Sequence, residues 1–194
     1  MISNELVKEL REKTGISVME CKKALEEANG DVAAAIKVLD KKFGGMASKK
    51  SARETKDGVV DSYVHSNGKI GVMLELHSET DFVAKNPAFR ELAHDISLHI
   101  AAMSPEYRSI DDVPSDVVSE LEVEFSKEAA KLGKPKDVTK NIVKGKLASK
   151  LAEVSLLSQP FVKDPNRTIQ NLIEEAVGKF GENIKVGKFV RYEI

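Results

Sequence analysis

The sequence predicts an α+β protein: a three-helix N-terminal domain, then a core in which a small antiparallel three-stranded sheet packs with helices. Three observations carry this. Residues 1–43 hold three short amphipathic stretches separated by capping residues. Residues 59–77 hold two β-rich runs around Asn67-Gly68, and a last β-rich run at 184–192 follows a series of helical patterns. The expected organisation is a three-helix domain at 1–43, a linker at 44–58, and an α+β core and dimerisation domain at 59–194.

The first helix is expected over Asn4–Lys13, with Leu6, Val7 and Leu10 on one face and Gly15 near its end. The second opens on Ser17 and Glu20, an S-x-x-E capping box, with Ile16 and Cys21 spaced as a hydrophobic staple. Cys21, Ala24, Leu25 and Ala28 then repeat at i, i+3, i+4 and i+7, a stripe that faces a core. Cys21 therefore reads as a small buried hydrophobe and not as a nucleophile. Asn29-Gly30 ends this helix. Asp31 caps a third, with Val32, Ala35, Ile36 and Leu39 inward.

With that stripe inward, Val18, Met19, Lys22 and Lys23 fall mostly on the opposite side. Two apolar residues beside two lysines suit a protein contact, but an ordinary surface helix with two stray apolar residues has the same pattern. Residues 44–58, GGMASKKSARETKDG, lose apolar periodicity and gather glycine, serine and charge, which reads as a mobile linker with at most one helical turn.

Val59–His65 and Ile70–His77 form the expected hairpin; the register is left open, because pairing His65 with Ile70 and Tyr63 with Val72 mixes polar and apolar residues on one face. Asn86 and Pro87 suit the cap and first position of a helix bearing Phe89, Leu92, Ala93, Ile96, Ile100 and Met103. Ser115 is a candidate cap for a helix over Asp116–Leu132, with Val118, Leu121, Phe125 and Leu132 inward. Helices are expected between Asp137 and Leu157, with Gly145 marking a break. SQPFVKDPNR reads as an extended loop bounded by prolines. Thr168 opens a helix with Ile169, Leu172, Ile173, Ala176 and Phe180, stopped by Gly181. The closing strand is expected over Ile184–Tyr192, bulged near Gly187.

Composition narrows the function. The chain has 194 residues, 41% hydrophobic and 31% charged, with 30 basic against 31 acidic side chains, so a strongly basic nucleic-acid footprint is absent. Lys41–Lys56 carries six basic residues against Glu54 alone. Lys127–Lys150 carries eight lysines against Glu128 and Asp137, whereas Asp111–Glu124 is acidic. One cysteine permits no intramolecular disulfide, which fits a reducing, cytoplasmic setting. No run approaches the ~20 apolar residues of a membrane span, and the N-terminus is charged and amphipathic, unlike a signal peptide.

Catalytic signatures are missing. The sequence has no phosphate-binding glycine loop, no G-x-S-x-G elbow, and no ligand spacing among His65, His77, His94 and His99. No enzyme, no metal site and no cofactor are expected. The segment with unusual demands is Ser78–Asn86, which links a strand to a helix over the surface yet contains Phe82 and Val83 beside Asp81. Either Phe82 is exposed for a partner, or Thr80 or Asp81 caps a helical turn and Phe82 folds back onto the sheet.

LVKELREKTGISVMECKKALEEANGD near the N-terminus, ETDFVAKN after the hairpin and LLSQPFVKDP late in the chain resemble the elongation factor Ts family over nearly the whole length. The resemblance implies a ubiquitin-associated-like fold for the first domain and a guanine-nucleotide exchange factor acting on elongation factor Tu in translation elongation. It further implies that Asp81 and Phe82, with Thr80 and Val83, enter that GTPase beside its magnesium and phosphate site. Val18, Met19, Lys22 and Lys23 would dock on its GTPase domain. Longer members carry a duplicated core; this chain has one hairpin and one T-D-F-V, so the resemblance implies a homodimer. Neither a membrane nor a nucleic acid is an expected partner. The alternative is an interaction module with a ubiquitin-associated-like domain that leaves nucleotides alone; a third reading, an RNA-associated protein using the lysine runs, fits the charge balance poorly.

Overall fold

A computed structural model describes residues 2–194; Met1, with which the first expected domain begins, lies outside the described residues. The chain folds as an α+β protein with a three-helix N-terminal segment and a small antiparallel sheet. Helices α1 (Asn4–Thr14), α2 (Val18–Glu27) and α3 (Val32–Lys50) come first. Strands β1 (Asp57–Val64) and β2 (Ile70–Ser78) follow, then a single helical turn α4 (Asp81–Ala84) and the helix α5 (Pro87–Met103). Next come α6 (Ser115–Ala130), α7 (Lys136–Val154), the short strands β3 (Pro160–Phe161) and β4 (Asp164–Thr168), helix α8 (Ile169–Phe180) and strand β5 (Lys185–Glu193). The main sheet has the order β1-β2-β5, and β3 pairs with β4.

The chain divides into two compact units. The first comprises Met1–Asp61, Glu75–His94 and Gln170–Gly187; the second comprises Ser62–Leu74, Asp95–Ile169 and Lys188–Ile194.

In the first unit, local chemistry sets the helix ends. Ser3, Ser17 and Asp31 cap α1, α2 and α3 by accepting the N–H groups of Leu6, Glu20 and Ala34. Gly15 closes α1 in the left-handed conformation (φ 67°), its N–H on the Arg11 carbonyl at 2.7 Å. Val7, Leu10, Ile16, Cys21, Ala24, Leu25, Ala35 and Leu39 form one buried cluster, as the periodicity requires, and burial pushes the Cys21 thiol pKa up. Only half of the expected capping box forms. Ser17 caps as expected, but the Glu20 carboxylate pairs with Lys42 of α3, which holds it below the usual carboxylate range.

Helix α3 corrects the expected linker, because it runs through Gly44 and Gly45 to Lys50 and leaves Ser51–Lys56 as the segment before β1. Tertiary packing overrides the two glycines. Phe43 is buried against α8, and Lys50 reaches the Gly181 carbonyl at the end of α8. Also in this unit, Phe89 of α5 meets Phe180 of α8 edge-on at 6.1 Å.

In the second unit, His65 donates its N–H to Ile70 at 2.9 Å, which settles the hairpin pairing left open above. Val72 and Leu74 are buried and Met73, between them, is exposed. Helix α6 ends at Ala130 and leaves Leu132, expected inside, 55% exposed; Met103 is exposed as well. Helix α7 is continuous through Gly145, where a break was expected, and nothing in the structure explains that glycine. The expected loop at 158–167 is the β3–β4 hairpin, with Phe161 buried. His99, fully buried, accepts the Val162 N–H at Nδ1 (3.2 Å), so its Nε2 carries the proton toward Gln159 Oε1 at 2.9 Å.

Candidate functional site

The Ser78–Asn86 connection is a tight, pinned turn. The Ser78 hydroxyl donates to the Thr80 carbonyl at 3.0 Å, and the N–H groups of Ala84, Lys85 and Asn86 close α4 onto Thr80, Asp81 and Val83. Asn86 then accepts the Ala88 N–H at 2.9 Å and starts α5, as Asn86-Pro87 predicts. Val83 and Ala84 take the inward side of the turn and are buried. Phe82 is left outward, 83% exposed.

Of the two readings of this segment, each is half met. The segment does form a helical turn, with Thr80 at its N-cap position, yet Phe82 does not fold back onto the sheet. Burying a Phe side chain is worth roughly 1.5–3 kcal/mol, and this fold leaves that gain unused. Beside it, the Lys85 ammonium lies 2.6 Å from Asp81 and holds the Asp81 carboxyl below the usual carboxylate range. This exposed pair is weak and exchangeable, so Asp81 is available to another cation or donor.

The second candidate surface is the outer face of α2. Val18 and Met19 are 51% and 66% exposed, and Lys22 and Lys23 are exposed beside them. Cys21, Ala24 and Leu25 are wholly inside, so the helix separates a core stripe from an outer face that leaves the two apolar side chains largely exposed.

Among the described residues, no group of three or more His, Cys, Asp or Glu is placed to hold a metal ion, and no helix is long and apolar enough to cross a membrane. Each of the four histidines has a local partner: His65 has Tyr63 at 3.0 Å, His77 has Glu75 at 3.3 Å, His94 has Asp61 at 3.4 Å, and His99 has Gln159 at 2.9 Å.

Comparison with known proteins identifies the family. The family model described as elongation factor TS matches residues 2–194. The chain belongs to the elongation factor Ts family. It is 51% identical over 193 residues to elongation factor Ts of Thermodesulfovibrio yellowstonii, covering 100% of this chain and 96% of that one. Against the Fervidobacterium nodosum elongation factor Ts it is 50% identical over 193 residues, covering 100% and 98%. Against that of Acetivibrio thermocellus it is 47% identical, covering 100% and 90%.

Within this elongation factor Ts chain, sequence reasoning missed the residues that hold the turn. The Glu182 carboxylate accepts three bonds from the start of the turn: the Glu79 N–H (3.1 Å) and Thr80 N–H (3.0 Å) on Oε2, and the Thr80 hydroxyl (2.6 Å) on Oε1. In return, Glu79 accepts the Asn183 N–H at 2.6 Å and lies 3.5 Å from the Arg53 guanidinium. The Asn183 amide closes the set on the Arg53 carbonyl at 2.7 Å. These partners are separated by up to 130 positions in the chain, and no local spacing signals them.

Proposed function

We propose that this chain is the guanine-nucleotide exchange factor for elongation factor Tu and that it promotes GDP release by disturbing the magnesium and phosphate site of that GTPase. The observation that carries this reading is Phe82, a large aromatic side chain held 83% exposed at the head of a pinned turn. Membership of the elongation factor Ts family supplies the partner. Asp81 and Phe82 form the wedge on the turn that Thr80 begins; Val83, expected beside them, is buried and anchors the turn from within instead. Val18, Met19, Lys22 and Lys23 dock on the GTPase domain.

The action is a coupling between two ligands of one protein. If the factor lowers nucleotide affinity, nucleotide lowers the affinity for the factor by the same ratio, so GTP in excess displaces it. Magnesium and its phosphate contacts are the largest local charges of a nucleotide site. An apolar ring driven beside them weakens those contacts without any covalent step, so the chain acts as an exchange factor and not as an enzyme. The three helices α1–α3, which extend to Lys50, fit a ubiquitin-associated-like docking domain, and the rest of the chain fits a core that pairs with a second copy in the cytoplasm.

The test is release of fluorescent GDP from cognate elongation factor Tu on adding stoichiometric protein. Acceleration of many-fold is expected. A folded chain that binds the GTPase and leaves the release rate unchanged would return the molecule to a plain interaction module.

A further inference from the structure

The geometry points to Glu182 as the positioning residue of the exchange wedge, a role that rests on the function proposed above. Thr80 stands at the N-cap position of α4 but makes no side-chain cap to its own turn. Its hydroxyl is given to Glu182 instead, together with its N–H and that of Glu79. The direction in which α4 leaves the strand is therefore set by a carboxylate just after α8, not by local capping.

Hydrogen bonds to an ionised acceptor are the strong ones, and three converge on one side chain. The adjoining Asn183 is itself buried and bonded to the Arg53 and Ser51 carbonyls, so the residue next to Glu182 is tied to the segment between α3 and β1. A ring that must enter a partner's site gains from having its direction fixed beforehand, because the ordering cost is met in the free protein. Glu182 does not touch the partner in this account. It acts through Phe82.

The experiment is a double-mutant cycle on GDP release from elongation factor Tu, with the maximal release rate and the half-saturating concentration measured separately. Glu182→Ala is expected to lower the maximal rate on the order of ten-fold, the size of one lost charge-assisted bond, with a smaller change in half-saturation. Glu182→Gln should retain most of the activity, because its amide oxygen accepts the two N–H groups and its NH₂ donates to the Thr80 oxygen. Adding Glu182→Ala to Phe82→Ala should lower the rate no further.

A Glu182→Ala protein with wild-type rates overturns the inference, and so does a double variant in which the two losses multiply. If Glu182→Ala does not fold, amide hydrogen exchange of the wild-type protein decides. Protected N–H groups at Glu79 and Thr80 are expected, and exchange at the rate of an open chain overturns the assignment. Wild-type release by Phe82→Ala would instead sink the parent reading, so the two failures are distinguishable.

Discussion

The ring of Phe43 in α3 lies against Gly178 of α8, and a side-chain carbon at position 178 would stand 2.9 Å from its Cγ and closer still to two other ring atoms. Gly44, the next residue, leaves room for the Glu174 carboxylate, 3.1 Å from where its Cβ would be. Two helices thus meet through glycines, which lets their backbones approach.

Gly178→Ala should therefore destabilise the protein although alanine is the better helix former. The intrinsic gain is about 1 kcal/mol, whereas forcing a methyl into a filled contact costs typically 1–3 kcal/mol. A net loss of about 1 kcal/mol in urea unfolding is expected, and an unchanged or raised midpoint would contradict this packing. Phe43→Ala, which empties the contact, should cost more, about 3–5 kcal/mol.

Met19→Ala and Lys23→Glu should leave stability within about 0.5 kcal/mol, since both side chains are exposed and outside the helix core. Both should weaken binding to elongation factor Tu. The Lys23→Glu effect should shrink as salt rises, whereas that of Met19→Ala should persist. Calorimetric titrations at two ionic strengths separate them; unaltered affinity for both variants would move the docking face elsewhere.

His99 predicts a pH dependence. Burial lowers its pKa from the ordinary 6.5 in the folded protein, and the bond to Gln159 opposes this less strongly. Below about 6.5 the unfolded chain takes up a proton that the folded one refuses, so stability falls as pH drops from there toward the folded pKa, and levels off beneath it. Denaturant midpoints between pH 7.5 and 5 should show this decline, and His99→Gln, although less stable at neutral pH, should decline less. Equal slopes for both proteins would show that His99 is not the group responsible.

Much of the fold was legible because its signals are local. Ser17, Asp31 and Asn86 cap where short-range chemistry places them, and the apolar stripe of α2 is inside. The errors arise where distant contacts override local preference. Gly44 and Gly45 read as a linker but continue α3, because Phe43 and Lys50 are held by α8. Glu20 reads as half of a reciprocal cap but finds Lys42, 22 residues away. At the candidate site, Phe82 and Asp81 stood out as an aromatic and a carboxylate in a surface connection. Glu182 did not, because a glutamate after a helix is ordinary until the fold brings Thr80 to it.

The wedge stands or falls with Phe82→Ala, with GDP release from elongation factor Tu and thermal unfolding measured on the same preparation. The ring is 83% exposed, so the melting transition should stay close to that of the wild type while accelerated release is largely lost. A variant that melts as the wild type does and still releases GDP at the wild-type rate would contradict the wedge.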